Sequence, residues 1–345
     1  MTTAQGDQAI RSGRMMGLAL EAARSCRLVA SPNPWVGAVV DTGERQFCGA
    51  TSPPGGNHAE VNALESAGPL ARGADLYTTL EPCAHRGRTG PCTEAIVAAG
   101  VARVVVAVED PDPAVSGRGV AALRESGITV ELGVRAAEAA ELLAPYLKHR
   151  RTGLPWVVLK LAATLDGRIA APDATSRWIT GPEARADVHR LRAESDAVLV
   201  GAGTVRADDP ALTVRDWQPP TGVAPRTSQP LRVVLGSAPP DARIQPALET
   251  GGPLEQVLCE LGERGVVQLL VEGGAATAAS FHRAGFADHY AVYLAPALFG
   301  GDDSRPMFTG AGASTIADLW RGEITAVTRL GSDLRIDLRS RLAGG

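Results

Sequence analysis

HAEVNAL at residues 58–64 and EPCAHRGRTGPC at residues 81–92 set the architecture of the first half of this chain. The first stretch carries a histidine, and the second carries two cysteines separated by eight residues. An imidazole and two thiolates supply three protein ligands to Zn²⁺ and leave the fourth tetrahedral position for water. We therefore predict one zinc ion per chain, held by His58, Cys83 and Cys92.

Glu60 follows the histidine by two positions and is not needed as a metal ligand. Water bound to zinc ionises near neutral pH and becomes a nucleophile. A carboxylate beside that water can take its proton and pass it to a departing amine. This division of roles characterises the zinc nucleobase deaminases, whose signature is H-x-E followed by P-C-x-x-C. Glu60 is therefore the predicted catalytic residue.

Helices alternate with apolar strands along the first half, which predicts an α/β layer architecture. Helices are expected at about residues 8–25, 58–67, 92–99, 117–126 and 136–149. Strands are expected in WVGAVV, FCGA, LYTTL, VARVVVAV and ITVELGV. The basic segment HRRTGLP at residues 149–155 contains Gly and Pro and is interpreted as a linker, which predicts domains at 1–148 and 149–345.

The second half shows a further α/β alternation. Strands are expected in WVVLKLAA, AVLVG, LRVVLG, VVQLLVEGG and YAVYLAP, and helices at about 182–194 and 275–284. Residues 217–253 are interpreted as a surface loop around one strand. VEGG, before the last of these helices, is either a phosphate-binding turn or a simple strand-to-helix turn, because free amides at a helix start attract anionic oxygens.

Composition restricts the possible partners. The 345 residues carry a net charge of −4 and only 4% aromatic side chains, whereas nucleic-acid binders usually present a basic face with stacking aromatics. The apolar runs are too short to span a bilayer, and MTTAQGDQAIRSGRMM lacks the apolar core of a signal peptide. We expect no nucleic-acid or membrane partner, a cytoplasmic location and a homo-oligomer. Cys26, Cys48 and Cys259 are predicted to be small buried apolar residues.

The first half resembles the deaminase domain of the bifunctional riboflavin-biosynthesis (RibD/RibG) family. EPCAHRGRTGPC is similar to the family segment E-P-C-x-H-x-G-[KR]-T-P-P-C, SPNPWVGAVV at 31–40 to S-P-N-P-x-V-G, and HAEVNAL to H-A-E-V-x-A-L. The resemblance covers about residues 10–150 and implies a cytidine-deaminase-like αβα domain. Two positions depart from the pattern: Thr51 replaces a family histidine, and Gly90 replaces a proline.

This resemblance implies a phosphorylated pyrimidine substrate, 2,5-diamino-6-(5-phosphoribosylamino)pyrimidin-4(3H)-one, which is hydrolytically deaminated. It implies that Asn33 hydrogen-bonds the pyrimidine and that Asp110 lies near the substrate. It also implies that His85 and Arg88 hold the ribose phosphate, for which the forked donors of arginine are well suited. The alternative for Arg88 is a solvated loop charge. Thr51 could still donate a hydrogen bond to a polar substrate group.

The second half resembles the reductase domain of the same family, which has a dihydrofolate-reductase-like α/β fold. The similar segments are LKLAATLDGRIA (159–170), SRWITG (176–181), LRAESDAVLVGAGTVRADDPALTVR (191–215) and LLVEGGAATAASF (269–281). The implied reaction is the reduction by NADPH of the ribosyl group of 5-amino-6-(5-phosphoribosylamino)uracil to a ribityl chain. In such a reaction the protein supplies orientation and phosphate binding, while the cofactor supplies the hydride.

The reductase resemblance implies specific contacts. The implied NADPH contacts are Ala162, Trp178, Thr204, Asp208, Gly274, Ala275, Ala276, Thr277 and Ser280. The implied substrate contacts are Ser176, Arg192, Leu212, Arg215 and Glu272. Arg192 and Arg215 are interpreted as phosphate clamps. Lys160 and Asp166 are candidates either for proton transfer or for structure, with Asp166 and Gly167 forming a turn in the second case.

Two other functions are compatible with parts of the sequence. One is a related nucleobase or nucleic-acid zinc deaminase with a divergent second domain, which the acidic balance and the scarcity of aromatics disfavour. The other is a non-catalytic protein with a structural zinc site. Structural sites normally close with a fourth protein ligand, and Glu60 would then have no role.

Overall fold

The computed structural model describes residues 3–85, 90–113, 115–173, 175–176 and 178–340. The chain divides into two compact units. Unit 1 comprises Met1–Gly153 and Pro219–Thr227, and unit 2 comprises Leu154–Gln218 and Ser228–Gly345. Each unit combines helices with a sheet, so the α/β prediction is confirmed for both halves.

Unit 1 is built on a mixed sheet in the order β2-β1-β3-β4-β5. β1 is antiparallel to β2 and β3, whereas β3, β4 and β5 run parallel to one another. The strands are β1 Gly37–Asp41, β2 Gln46–Ala50, β3 Asp75–Thr78, β4 Arg103–Val106 and β5 Thr129–Leu132. The α-helices are α1 Thr3–Ser25, α2 Arg27–Ala30, α3 Ala59–Ala67, α4 Cys92–Ala99, α5 Arg118–Glu125, α6 Ala136–Leu142 and α7 Ala144–Thr152, and a 3₁₀ turn spans Gly68–Ala71.

Two glycines let helices pack directly on the β1–β2 hairpin. A Cβ at Gly37 would collide with the Ala19 carbonyl oxygen of α1. A Cβ at Gly49 would collide with the Ala59 carbonyl oxygen and the Ala63 nitrogen of α3. The start of α3 is thereby held against the sheet, which fixes the position of the residues that precede and open this helix.

The division between the two units falls within the segment predicted as a linker, after Gly153, but the prediction was wrong for residues 149–152, which are helical. α7 runs to Thr152, and Gly153, at φ +73°, ends it by donating its N–H to the His149 carbonyl oxygen at 2.8 Å. The basic residues of HRRT occupy the last turn, where cations are favoured by the negative end of the helix dipole. The run of basic residues is therefore explained by its position at the C-terminus of a helix.

Unit 2 contains an eight-stranded sheet within its described residues, in the order β10-β9-β8-β11-β6-β12-β15-β14. The first six strands in this order are parallel, and β15 and β14 are antiparallel to their neighbours. The strands are β6 Trp156–Thr164, β7 Arg168–Ala170, β8 Ala197–Gly201, β9 Leu231–Leu235, β10 Leu248–Thr250, β11 Gln268–Val271, β12 His289–Ala295, β13 Arg305–Pro306, β14 Gly322–Leu330 and β15 Asp333–Ser340, with β7 pairing with β13. The helices are α8 Pro182–Ala193, α9 Ala202–Asp208, α10 Leu254–Glu263 and α11 Ala275–Arg283, and a 3₁₀ turn spans Ile316–Asp318.

The core of unit 2 follows the two-residue period of its strands. Val157 and Leu159 of β6 pack into one cluster, and Val158 packs into a cluster on the opposite face. Burial on both faces is typical of parallel sheets covered by helices. Residues 217–253 contain two strands, where one was predicted, and α9, α10 and the β14–β15 hairpin were not predicted.

The three cysteines outside the predicted zinc site differ in exposure. Cys26 is buried as predicted, but Cys48 and Cys259 are exposed, contrary to the prediction. None of the helices in the described ranges combines the length and apolar character needed to cross a membrane.

Candidate active sites

The three predicted zinc ligands meet in unit 1. The ligand atoms of His58, Cys83 and Cys92 all lie within 4.8 Å of one another. The His58 Nδ1 atom is 3.2 Å from the Cys92 Sγ atom and 3.6 Å from the Cys83 Sγ atom. Normal zinc–nitrogen and zinc–sulfur bonds at a tetrahedral angle place such atoms about 3.6 Å apart. The donor set and its spacing therefore fit zinc.

Two helix starts and one loop position these ligands. His58 is the N-cap residue of α3, and Cys92 is the first residue of α4. The Cys92 backbone N–H donates to the Cys83 Sγ atom at 3.4 Å, and the Thr93 N–H donates to the Cys83 carbonyl oxygen at 3.2 Å. Hydrogen bonds from Cys92 and then from His58 lower the pKa of Cys83 to about 4, which favours the ionised thiolate that a metal requires.

Glu60 lies in the first turn of α3, beside the ligand cluster. Its side chain is buried, with 3% of the residue exposed, and its Oε2 atom accepts from the Cys92 thiol at 3.6 Å. Burial, followed by the nearby Cys83 charge, raises the pKa of Glu60 to about 7. The Glu60 carboxyl group is therefore placed beside the metal ligands with a raised proton affinity, as a general acid–base group requires.

A cavity of about 320 Å³ opens onto this cluster. Its lining includes His58, Glu60 and Cys83 together with the predicted substrate contacts Asn33, His85 and Asp110. Arg88, the remaining predicted contact, lies outside the described residues. The structure thus brings the described members of the predicted deaminase site to one cavity.

Asp110 lies in the wall of the deaminase cavity and is hydrogen-bonded to a residue of α7. It is 4% exposed, and its carboxylate accepts from the Tyr146 hydroxyl at 3.0 Å and from the Asp112 N–H at 2.9 Å. Thr51 also lines the cavity, but its hydroxyl accepts from the Val36 N–H at 3.0 Å. The threonine side chain is therefore engaged with the backbone at the start of the hairpin.

Four polar lining residues were not singled out by the sequence analysis: Glu81, Asp112, Tyr146 and Arg150. Glu81 is buried and accepts the backbone N–H groups of Asp110, Gly117 and Val120 at 3.0–3.2 Å. It therefore ties the 110–120 segment to the strand end that precedes Cys83. Glu81 is the first residue of the E-P-C motif and could have been found from it. Tyr146 and Arg150 are four residues apart and therefore lie on the same face of α7, and this spacing is the feature of the sequence that could have indicated them.

A second cavity, of about 820 Å³, lies within unit 2. The predicted residues that line it are Ala162, Ser176, Trp178, Thr204, Asp208, Arg192, Leu212, Arg215 and Glu272. The Ser176 hydroxyl donates to the Asp208 carboxylate at 3.3 Å. A cavity of this size can hold an extended ligand.

Arg192 and Glu272 form a buried ion pair in the wall of this cavity. Arg192 Nε donates to Glu272 Oε1 at 2.6 Å and Nη2 donates to Oε2 at 2.9 Å, while Nη1 donates to the Thr213 carbonyl oxygen at 3.1 Å. Burial alone would raise the pKa of Glu272, but Arg192 overcomes it and lowers that pKa. Most of the Arg192 fork is therefore directed at protein atoms, whereas Arg215 is about half exposed.

The loop after α9 holds a strained backbone around the cavity. Asp209, Leu212 and Asp216 all line the cavity and have positive φ angles of 40°, 49° and 53°. Non-glycine residues adopt this region at a cost, and such strain is concentrated at functional sites. His189 of α8, which was not predicted, lies beneath the loop with its Nδ1 atom 3.1 Å from the Thr213 carbonyl oxygen.

The predicted contacts on α11 are not among the residues that line this cavity. These residues are Gly274, Ala275, Ala276, Thr277 and Ser280. The Gly274 N–H donates to the Thr204 hydroxyl at 3.1 Å, which connects the start of α11 to the cavity wall. The Ser280 hydroxyl donates to the Ala276 carbonyl oxygen of its own helix at 3.0 Å.

Lys160 and Asp166 have different surroundings. Lys160 lines the cavity, and burial lowers its pKa. Asp166 accepts from the Thr164 hydroxyl at 2.5 Å and from the Gly300 N–H at 2.9 Å, and Gly167 completes a turn by donating to the Thr164 carbonyl oxygen. Of the two roles left open for Asp166, these contacts favour the structural one.

Two family models match the chain. Residues 11–108 match the cytidine and deoxycytidylate deaminase zinc-binding region, and residues 155–336 match the RibD C-terminal domain. The riboflavin biosynthesis protein RibD of Bacillus amyloliquefaciens is 40% identical, with 93% of this chain and 94% of that protein covered.

Solved structures agree with these matches. Acinetobacter baumannii RibD (form 1) has a TM-score of 0.89 and 38% identity, with 96% of this chain and 99% of that chain covered. A Thermotoga maritima structure, described as a diaminohydroxyphosphoribosylaminopyrimidine deaminase/5-amino-6-(5-phosphoribosylamino)uracil reductase, has a TM-score of 0.84 and 33% identity, with 96% and 99% covered. The chain therefore belongs to the RibD family of riboflavin biosynthesis, and it is a bifunctional enzyme with a zinc-binding deaminase domain and an NADPH-dependent reductase domain.

Proposed function

We propose that unit 1 deaminates 2,5-diamino-6-(5-phosphoribosylamino)pyrimidin-4(3H)-one and that unit 2 reduces 5-amino-6-(5-phosphoribosylamino)uracil to its ribityl form. The observation that carries this proposal is the His58, Cys83 and Cys92 cluster, with Glu60 beside it, at the wall of a 320 Å³ cavity. The activities named for the Thermotoga maritima relative support the choice of substrates.

In the deaminase site, His58, Cys83 and Cys92 would hold the metal. A bound Zn²⁺ supplies a water molecule that ionises near neutral pH. Glu60 takes a proton from the attacking water and delivers it to the departing amine nitrogen, so that water is consumed and ammonia is released.

The remaining residues of the deaminase site act by binding. Asn33 donates to or accepts from the pyrimidine ring, since its amide can do both. Asp110, held by the Tyr146 hydroxyl, lies near the substrate. His85 and Arg88 bind the phosphate.

In the reductase site, a bound NADPH would supply the hydride that reduces ribose C1′. The residues proposed to bind NADPH are Ala162, Trp178, Thr204, Asp208, Gly274, Ala275, Ala276, Thr277 and Ser280. The residues proposed to bind the substrate are Ser176, Arg192, Leu212, Arg215 and Glu272. Arg215 is the better candidate for the phosphate, because the Arg192 donors are shared with Glu272 and Thr213.

We further propose that the enzyme is cytoplasmic and that it forms a homo-oligomer. The five unpaired cysteines support a reducing compartment. Strand β14 ends the sheet order of unit 2, and its Ile324 and Val327 are 59% and 58% exposed, which suits pairing with a second copy. Sedimentation velocity of the full chain tests the last point, because a purely monomeric species at micromolar concentration would exclude it.

The test of the substrates is a coupled assay with purified protein. Zinc-loaded enzyme should release ammonia from the diaminopyrimidine phosphate without NADPH. It should oxidise NADPH when the deaminated product is supplied instead. Absence of both reactions with a folded, zinc-replete protein would reject the proposed substrates.

A further inference from the structure

Arg150 lines the deaminase cavity from the last turn of α7, a position that the sequence analysis assigned to a linker. Its side chain is 34% exposed, but its Nε atom is buried and has no hydrogen-bond partner among the described residues. The Nε atom is 3.8 Å from the Asp112 Oδ2 atom, which is too long for a hydrogen bond. Arg150 is therefore ion-paired with Asp112 at a long distance, and its Nε–H makes no hydrogen bond to the described residues.

Tyr146 holds Arg150 at the cavity wall. The two residues are one helical turn apart, and the Arg150 Cζ atom lies 5.1 Å from the centre of the Tyr146 ring. The Tyr146 hydroxyl in turn donates to Asp110. The ring and the two carboxylates thus place one positive charge beside Asp110 at the cavity wall.

The charge balance of the cavity calls for such a cation. The described lining residues include four carboxylates, those of Glu60, Glu81, Asp110 and Asp112. Arg150 is the one arginine or lysine in this described lining. A phosphomonoester carries close to two negative charges at neutral pH, so its approach to these carboxylates is unfavourable unless a cation receives it.

We propose that Arg150 binds the 5-phosphate of the deaminase substrate and makes the site selective for phosphorylated over unphosphorylated pyrimidine ribosides. The forked donors of arginine match phosphate oxygens, and the buried Nε–H of Arg150, which has no hydrogen-bond partner among the described residues, is available to a phosphate oxygen. This inference rests on the proposed deaminase substrate, and it adds a phosphate contact from α7 to those proposed in the 83–92 loop.

The experiment compares deamination of the phosphorylated substrate with deamination of the same compound lacking the phosphate. Arg150→Ala should lower kcat/KM for the phosphorylated compound by about ten- to a hundred-fold, mainly through KM, because a hydrogen bond to a charged group is lost. The unphosphorylated compound should be affected less than about two-fold, within the scatter expected of a surface substitution. Arg150→Lys should retain part of the preference, since it keeps the charge and loses the fork.

Arg151→Ala is the matched control, because Arg151 is exposed in the same helical turn and does not line the cavity. It should leave the preference unchanged. Binding gives a second readout: in a Glu60→Gln background, which cannot turn over substrate, Arg150→Ala should weaken binding of the phosphorylated compound by the same factor. Inorganic phosphate should inhibit the parent enzyme more strongly than Arg150→Ala.

The outcomes separate this inference from the proposed function. If the parent enzyme deaminates neither compound, the proposed substrate is wrong. If the parent enzyme is active but Arg150→Ala keeps the full phosphate preference, Arg150 is not a phosphate ligand. Equal losses for both compounds in Arg150→Ala and Arg150→Lys would also overturn the inference, because they would indicate support of the Asp110 wall rather than phosphate binding.

Discussion

The Nδ1 atom of His58 lies 3.2 Å from the Sγ atom of Cys92, although 34 residues separate them in the sequence. The starts of two helices, α3 and α4, bring them together. The dipole of α4 favours negative charge at its start, where the Cys92 N–H donates to the Cys83 Sγ atom, and this helps to keep Cys83 in the thiolate form. A metal ligand pair is therefore prepared by the fold itself.

Cys92→Ser should remove most of the zinc. Serine keeps the helix start but replaces a soft thiolate with a hydroxyl, which zinc sites of this type do not use. Elemental analysis should find about one zinc per chain in the parent protein and far less in the variant. Cys48→Ser, at an exposed cysteine away from the cluster, is the control and should keep the full zinc content. Full retention of zinc by Cys92→Ser would contradict its role as a ligand.

Glu60→Gln should abolish deamination without loss of zinc. Glutamine has nearly the same shape but cannot take up and release the proton, and positioned acid–base groups contribute roughly 10²–10⁴-fold to rate. The measurement is ammonia release from a variant whose zinc content equals that of the parent. A zinc-replete variant with near-normal turnover would show that another group moves the proton.

Glu272→Ala should destabilise unit 2 strongly. Arg192 and Glu272 are 12% and 8% exposed, and removing one partner leaves the other charge buried, which costs about 3–5 kcal/mol. Urea unfolding should show the loss. Arg264→Ala breaks the exposed pair with Glu260 in the same unit and should cost only about 0.3–0.5 kcal/mol. Equal effects of the two substitutions would mean that the buried pair makes no special contribution.

The deaminase ligands could be predicted from sequence because their chemistry is carried by short motifs. His58 and Glu60 lie two positions apart, and a proline precedes Cys83, so residue type and spacing alone indicated the site. Arg150 could not be found this way. A basic run before Gly and Pro is compatible both with a solvated linker and with a helix end. Only the tertiary packing of α7, whose Pro145, Tyr146 and Leu147 are buried, decides between them.

In the reductase half, the sequence located the site but did not show which side chains are available to a ligand. The residues that line its cavity come from β6, α8, α9 and the loop after α9, and the motifs located them in the sequence without showing which side chains are engaged with protein atoms. Arg192 has the side chain expected of a phosphate ligand. Two of its N–H groups, however, donate to the carboxylate of Glu272, which is 80 residues away in the sequence. Thr277 is buried, and a Cβ at Gly273 would collide with its side chain. A pairing such as that of Arg192 with Glu272 is determined by tertiary packing, and the spacing of residues in the sequence does not reveal it.

The two activities should be separable by single substitutions. The deaminase cavity is lined by residues of unit 1 and the 820 Å³ cavity by residues of unit 2, so no described side chain belongs to both linings. Glu60→Gln should therefore stop ammonia release while NADPH oxidation with already deaminated substrate continues. Arg215→Ala should impair NADPH oxidation, because it removes a half-exposed cation from the cavity wall, and should leave ammonia release intact.

Both variants should be assayed with the substrate specific to each step, so that loss of the first reaction does not starve the second. Each unit has its own buried core, which supports independent folding and function. Modest changes in the second activity, within about two-fold, agree with two separate sites, since most surface substitutions alter stability by less than about 0.5 kcal/mol. Loss of both activities in a folded, zinc-replete protein carrying either single substitution would mean that the two reactions share a site.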